Sequence, residues 1–391
     1  MNPRVLTLTA GNFAVGTGGL VLAGILPLIA RDTGVAITTA GQLVTVFALT
    51  YAVGAPVLAT LTAAAPRRAL MIAALLIFAA GNGLVAVAPD FGTLTLARVV
   101  AALGAAMFTP TASAVAVALV PREQRGRALA LVIAGLSVAT VLGVPLGTLL
   151  GQRFGWRLTF AFVALSGVLA AAGVRVLLPT VATPPAAGLR TRLALLRQGA
   201  VVGALAVTML VTTGQFAVYT YLASLLEEVT GLGEGGVSAM LLLFGAASVV
   251  GSVLGGWGTD RWGVGRTLVA GIGGLTLALF ALSPAAGALP FAALVVVGWG
   301  VAGWVFNAPQ QYRLLALAPD ASGIVLSLNQ SALYTGVAAG AALGGLVLNT
   351  SGVSSLGWVA GLVVALALGV ALLGVALAPY APAAERVPAR A

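Results

Sequence analysis

The 391-residue sequence predicts an all-α integral membrane protein, with twelve transmembrane helices in two pseudo-symmetric six-helix bundles. Three observations predict it: a composition too poor in charge to face water, twelve apolar stretches of spanning length, and a likeness between the two halves of the chain.

Hydrophobic residues make up 60% of the chain and charged residues 7%. A water-facing domain carries roughly 25% charged residues, so lipid must cover most of this surface. All 19 basic residues are arginine, and the net charge is +10. The arginines are scattered over short loops and form no basic face, so nucleic acid is not an expected partner; the bilayer is. There is no cysteine and no histidine, which excludes disulfides, thiol catalysis and the common zinc sites. The first apolar stretch is too long for a signal-peptide core and is expected to remain as a spanning helix.

A spanning helix needs roughly 20 mostly apolar residues. Breaks at charges and at Pro/Gly clusters place the helices at about 5–30, 38–62, 69–88, 92–119, 127–151, 157–178, 200–226, 236–257, 266–284, 289–314, 322–348 and 355–378. Ser283, Pro284 and Gly287 supply the break inside the long run from 266 to 314. The expected domains are an N-terminal bundle (1–178), a cytoplasmic linker (179–199), a C-terminal bundle (200–378) and a cytoplasmic tail (379–391). With both termini in the cytoplasm, fifteen arginines fall on the cytoplasmic side, Arg313 among them. Three fall opposite (Arg31, Arg153 and Arg157), and Arg98 lies within a helix. That bias satisfies the positive-inside rule and requires an even helix count.

Gly11 to Val15 in the first helix matches Gly214 to Val218 in the seventh. Gly104 and Pro110 in the fourth match Gly303 and Pro309 in the tenth, and Pro121 matches Pro319. Halves repeated in parallel orientation place a site between two bundles near the midplane, opened to either side by rocking.

Between the eighth and ninth helices, Gly256 to Arg266 reads G-x-x-x-D-R-x-G-x-x-R, with Asp260, Arg261 and Arg266 as its charges. The corresponding loop of the first half has Arg68 but Thr62 and Ala63 in place of the Asp-Arg pair. Arg98, the one charge well inside a predicted span, costs roughly 3 kcal/mol or more in lipid and so should face the bundle interior; Gly104 follows six residues later. The fifth helix carries Gly143-Val144-Pro145-Leu146-Gly147, and Gly155-Trp156-Arg157 follows it. These motifs resemble those of the major facilitator superfamily, over nearly the whole chain. Asn307-Ala308-Pro309 and Asn329-Gln330-Ser331-Ala332 resemble its bacterial efflux permeases of the arabinose-efflux and chloramphenicol-resistance type. The resemblance implies export of a small organic solute through the bacterial cytoplasmic membrane, driven by proton entry and without a bound cofactor. It implies gating or coupling roles for Arg98, Asp260, Arg261, Arg266, Gly143, Pro145 and Gly147, and a cavity lined by the first, fourth, seventh and tenth helices. A monomer is expected.

Amides in apolar stretches are candidates for a substrate site, because an unsatisfied polar group in lipid is costly. Asn12 and Gln215 occupy matching positions of the apparent repeat, and Tyr219 lies one turn from Gln215. Asn307 with Gln311, and Asn329, complete the set. Helix-to-helix bonding is the alternative role for each. With no paired carboxylates, metal ligands or nucleophile constellation, a membrane enzyme is not expected; without a P-loop, neither is direct ATP drive. The spans contain no Asp or Glu away from their ends, so Asp32, Glu227 and Glu228 are the carboxylates left to carry protons. A proton-independent facilitator or uptake permease for a neutral solute is the alternative.

Overall fold

The computed structural model describes residues 3–121, 124–179, 194–285 and 288–377. The tail and most of the linker, with Thr183, Arg190 and Arg192, lie outside them, as do Arg122, Arg386 and Arg390. Among the described residues, eleven helices are long and apolar enough to cross a membrane, and a bent pair at the start of the chain makes a twelfth span. Helices suit such a chain because each satisfies its own backbone where lipid offers no hydrogen bond.

The first span is Pro3–Leu20 followed by Leu22–Thr33, bent by 47°. The second is Ile37–Leu61, the third Arg67–Val87, the fourth Phe91–Ala118 and the sixth Trp156–Leu177. The fifth runs from Arg125 to Phe154 through a π-turn at Ala139–Gly143. The seventh is Gly199–Tyr219 plus Leu222–Thr230, the eighth Glu234–Trp262 and the ninth Val264–Ala285. The tenth is Leu289–Val305 plus Asn307–Leu317, the eleventh Ser322–Ser351 and the twelfth Leu356–Leu377. We call the end where the first span begins proximal and the other distal. The first, seventh and tenth spans are thus broken where continuous helices were expected. Pro27 lies six residues past the first of these breaks, inside the Leu22–Thr33 segment, and does not locate it.

Packing repeats within the halves. The first span lies against the fifth and sixth as the seventh lies against the eleventh and twelfth, and the third against the fourth and sixth as the ninth against the tenth and twelfth. Across the halves, the second packs on the eleventh and the eighth on the fifth. Contacts also fix the register. Asn12 Nδ2 donates to Val132 O at 3.0 Å, and Thr212 Oγ1 to Leu333 O at 3.3 Å. The bends fall at Val21 and Tyr221. The structural offset is therefore 200 residues, and Asn12 corresponds to Thr212. The match of Gly11–Val15 with Gly214–Val218, at an offset of 203, is almost one helical turn out of register: short apolar words recur by chance in so narrow a composition. The Gly104, Pro110 and Pro121 matches, at 199 and 198, keep the true register.

Small residues permit the close approach. Gly135, Gly143, Gly147 and Gly151 of the fifth span meet Thr9, Thr17, Val21 and Ile25 of the first; Gly336, Gly340 and Gly344 of the eleventh meet the seventh in the same manner. Asp90 caps the fourth span, and the Thr93 backbone N–H and hydroxyl on its carboxylate hold it below the usual carboxylate pKa.

Candidate functional site

The distal end is shut. Arg31 Nη2 reaches Glu227 Oε2 across the halves at 3.4 Å, and Ser238 Oγ donates to Gln152 Oε1 at 2.8 Å. Behind them, from Gly11 to Ala30 the first span is buried apart from four partly exposed positions, and from Val211 to Leu226 the seventh is buried apart from Phe216. Asp32 serves the first half alone: Trp156 Nε1 donates to it at 3.0 Å and Arg157 Nη1 at 2.5 Å.

Toward the proximal end the same spans, with the fourth and tenth, carry partly exposed polar and aromatic positions. Thr9 and Phe13, Thr109 and Ser113, and Asn307 and Gln311 are among them. Asn307 and Gln311 stand one turn apart on the inner segment of the tenth span, and neither amide bonds another described residue. Between these regions, Tyr51 of the second span and Tyr334 of the eleventh stack at 3.7 Å between ring centroids, joining the halves at mid-span.

The other amides are differently placed. Asn12 is buried and tied to the fifth span through Val132 O. Gln215 Nε2 makes a long bond of 3.4 Å to Gly303 O in the tenth span. Asn329 Oδ1 accepts from Thr208 Oγ1 at 2.7 Å; that hydroxyl in turn accepts from Gln310 Nε2 at 3.0 Å, linking the seventh, tenth and eleventh spans. Gln310 was not singled out in the sequence, because one amide among three polar neighbours gives no sign of which will be buried. Arg313 was counted on the cytoplasmic side, at the end of a helix expected over 289–314. It is instead buried in the tenth span beside Gly374 of the twelfth, because that helix continues to Leu317.

Tyr219 lies in an aromatic cluster that no motif announced. Its ring centroid is 5.5 Å from Phe216, 5.2 Å from Phe244 and 6.3 Å from Trp299, and Phe244 and Trp299 are 4.8 Å apart. The Tyr219 hydroxyl and the Trp299 indole N–H are both buried without a partner among the described residues. Buried donors are nearly always satisfied, so the cluster holds two donors left over by the described residues. Gln215 is one turn away on the same helix.

At the corresponding level of the first half stands Arg98, fully buried. Its Nη1 donates to Gly18 O at 3.0 Å, one turn before the bend of the first span. Its guanidinium carbon lies 4.3 Å from the Phe47 ring centroid and 5.7 Å from that of Phe160. A bend loosens helix carbonyls, and the guanidinium secures one of them.

Gly143 and Gly147 press on the first span, and Pro145 is the second residue after the π-turn. Gly245 of the eighth span abuts that turn: a Cβ there would lie 2.6 Å from Thr140 O. Asp260, Arg261 and Arg266 are exposed at the proximal end and bond no other described residue. In the first half, Arg68 donates to the carbonyl of Arg175 at the end of the sixth span.

Known proteins share both sequence and fold. The family described as Major Facilitator Superfamily matches residues 8–341. The chain is 35% identical to the uncharacterized MFS-type transporter YbcL of Bacillus subtilis, over 95% of each chain. It is 35% identical to the inner membrane transport protein YdhP of Escherichia coli, over 89% of this chain and 90% of that one. It is 39% identical to a chloramphenicol resistance protein of Streptomyces lividans, over 92% of each. The crystal structure of a bacterial homologue of the human lysosomal transporter Spinster, inward-facing and unoccupied, superposes with a TM-score of 0.76 at 16% identity, covering 95% of this chain and 96% of that one. With two repeated bundles, a shut distal end and this kinship, the chain belongs to the major facilitator superfamily of membrane transporters.

Proposed function

We propose that this transporter exports a small, uncharged or mildly amphipathic organic solute from the cytoplasm by alternating access, in exchange for protons. The observation that carries the reading is the cluster of Tyr219, Phe244 and Trp299 with two unused donors, in a chain whose spans hold no carboxylate away from their ends. Aromatic walls with a few donors suit a neutral ring-bearing solute with acceptor groups. Asn307 and Gln311 would meet it on the way in, with Gln215 beside the cluster. The chloramphenicol resistance relative supports a drug-like solute.

The arginine bias favours the proximal end as cytoplasmic, with both termini there, in the cytoplasmic membrane of a bacterium, and with the protein working as a monomer. Distal closure then leaves the transporter ready to load from the cytoplasm. Glu227 is our proposed proton acceptor, since its ion pair with Arg31 joins the halves at the outer face. A proton arriving from outside would release that pair. Arg98 holds the first span's bend, and Asp260, Arg261 and Arg266 act on gating from the proximal loop.

Inverted vesicles with chloramphenicol as probe test this. The expected result is accumulation that needs an acid interior and collapses with a protonophore. Equilibration without a gradient would favour a facilitator, the reading favoured by the lack of mid-span carboxylates; no movement would refute a chloramphenicol-like solute. Ala64→Cys, in a proximal loop, should react with an impermeant maleimide only after permeabilisation, and Ser354→Cys, in a distal loop, in intact cells. The reverse pattern would invert the topology.

A further inference from the structure

An apolar groove of about 230 Å³ lies on the side of the C-terminal bundle near its proximal end. Leu254 and Trp257 of the eighth span form one wall, Ala270 and Gly271 of the ninth the other, and Val301 and Val305 of the tenth the floor. Trp262 and Thr267 close it where the eighth and ninth spans meet. Trp257 and Trp262 stand edge to face at 5.0 Å, and each is about half exposed, at 51% and 53%. Indoles so placed favour the headgroup level of a bilayer. The two residues flanking this closed end in sequence, Arg261 before Trp262 and Arg266 before Thr267, are exposed and bond no other described residue.

We propose that this groove holds one acyl chain of an anionic phospholipid, with its phosphate on Arg261 and Arg266. The groove is too apolar for a polar solute and shares no lining residue with the Tyr219 cluster, so the site does not depend on the transported solute. A chain in the groove leaves its headgroup at the loop, where two guanidiniums outweigh the single carboxylate of Asp260. Arginine matches a phosphate with paired N–H donors, and the attraction of basic groups to anionic lipid adds to it. Zwitterionic lipid can fill the groove but gains less from the loop.

Tryptophan quenching by brominated-chain lipids, titrated into the detergent-purified full chain, tests the assignment. Brominated phosphatidylglycerol should show a saturable component with a half-saturation at least several-fold lower than brominated phosphatidylcholine. Trp257→Phe with Trp262→Phe should remove that component, and Ala302→Leu, which fills the groove, should abolish it in a protein that still elutes as one species. Arg261→Gln with Arg266→Gln, at exposed positions that do not threaten folding, should raise the phosphatidylglycerol half-saturation to the phosphatidylcholine value. Equal half-saturation of the two lipids in the unaltered protein, or a saturable component that survives both the groove-filling and the arginine variants, would mean bulk annular lipid only and overturn the proposal.

Discussion

A buried hydrogen-bonding group without a partner weakens the fold and favours whatever ligand can supply one. Tyr219 and Trp299 carry such groups within one aromatic cluster. Tyr219→Phe should therefore leave thermal stability unchanged or slightly raised, since no bond is lost and a buried hydroxyl is removed. If the hydroxyl meets the solute, the same change should weaken its binding by about 0.5–1.5 kcal/mol, or roughly 2- to 12-fold. Melting temperature and transport KM, measured on the same preparation, separate the two effects; an unchanged KM in both Tyr219→Phe and Trp299→Phe would move the site elsewhere. At this scale the sequence was only partly legible. It marked Asn12, Gln215 and Asn329 as polar groups in lipid-compatible helices, but not their neighbours. Whether an amide meets a carbonyl on the next helix or faces an opening depends on helix rotation, and one residue moves it by about 100°. Arg98 was more legible, because a charge that costly has few places to go. Trp299, by contrast, looks like any apolar residue of its span until Tyr219 and Phe244 are seen around it.

Among elements, the contact between the fifth and eighth spans brings the halves together against backbone. Gly245 lies against backbone atoms of Thr140 and Val141 at the π-turn, and backbone cannot turn aside as a side chain can. Gly245→Leu should therefore force the spans apart at a cost of about 1–3 kcal/mol and relax the distal closure. The readout is maleimide labelling of a cysteine introduced at Ser238, which is buried in the present structure. Labelling should speed up several-fold in the Gly245→Leu background; an unchanged rate would mean that the halves do not pivot on this contact. The spans themselves were legible to within a few residues, because length and apolarity decide whether a segment can cross a bilayer. Their interruptions were not. The bend at Val21, the break after Tyr219 and the π-turn arise from helix-to-helix packing, and proline alone did not locate them: the tenth span breaks at Phe306, three residues before Pro309.

For the whole molecule, closure at the distal end rests on weak bonds. Arg31 and Glu227 are 72% and 27% exposed, and an exposed pair of this kind contributes about 0–1 kcal/mol. A latch that weak can bias an equilibrium without freezing it, which a transporter that must open both ways requires. The sequence contains no cysteine, so Gln152→Cys with Ser238→Cys, whose side chains meet across the halves at the same end, can be bridged on a clean background. A short bis-maleimide should stop transport in the double variant, while a monofunctional maleimide should not. Continued transport by the bridged protein would exclude opening at this end. The two-bundle plan was legible from the Gly104, Pro110 and Pro121 repeats. The register of the central helices was not, because the Gly11 and Gly214 words misled by three residues.

The π-turn has a consequence for angular phase. Glycines four apart drift around a regular helix by about 40° per step, so over the sixteen residues from Gly135 to Gly151 they would end about 160° apart, on nearly opposite sides. Inside Ala139–Gly143 the backbone takes an extra residue in one turn, and Val144 N–H reaches back five residues to Ala139. That slower winding takes back much of the drift, and Gly135, Gly143, Gly147 and Gly151 all face the first span. The fifth span therefore works as two helices of different azimuth joined without a loop. Removing one residue between 139 and 143 would shorten the span by little more than 1.5 Å, yet it would swing Gly147 and Gly151 about 100° away from Val21 and Ile25.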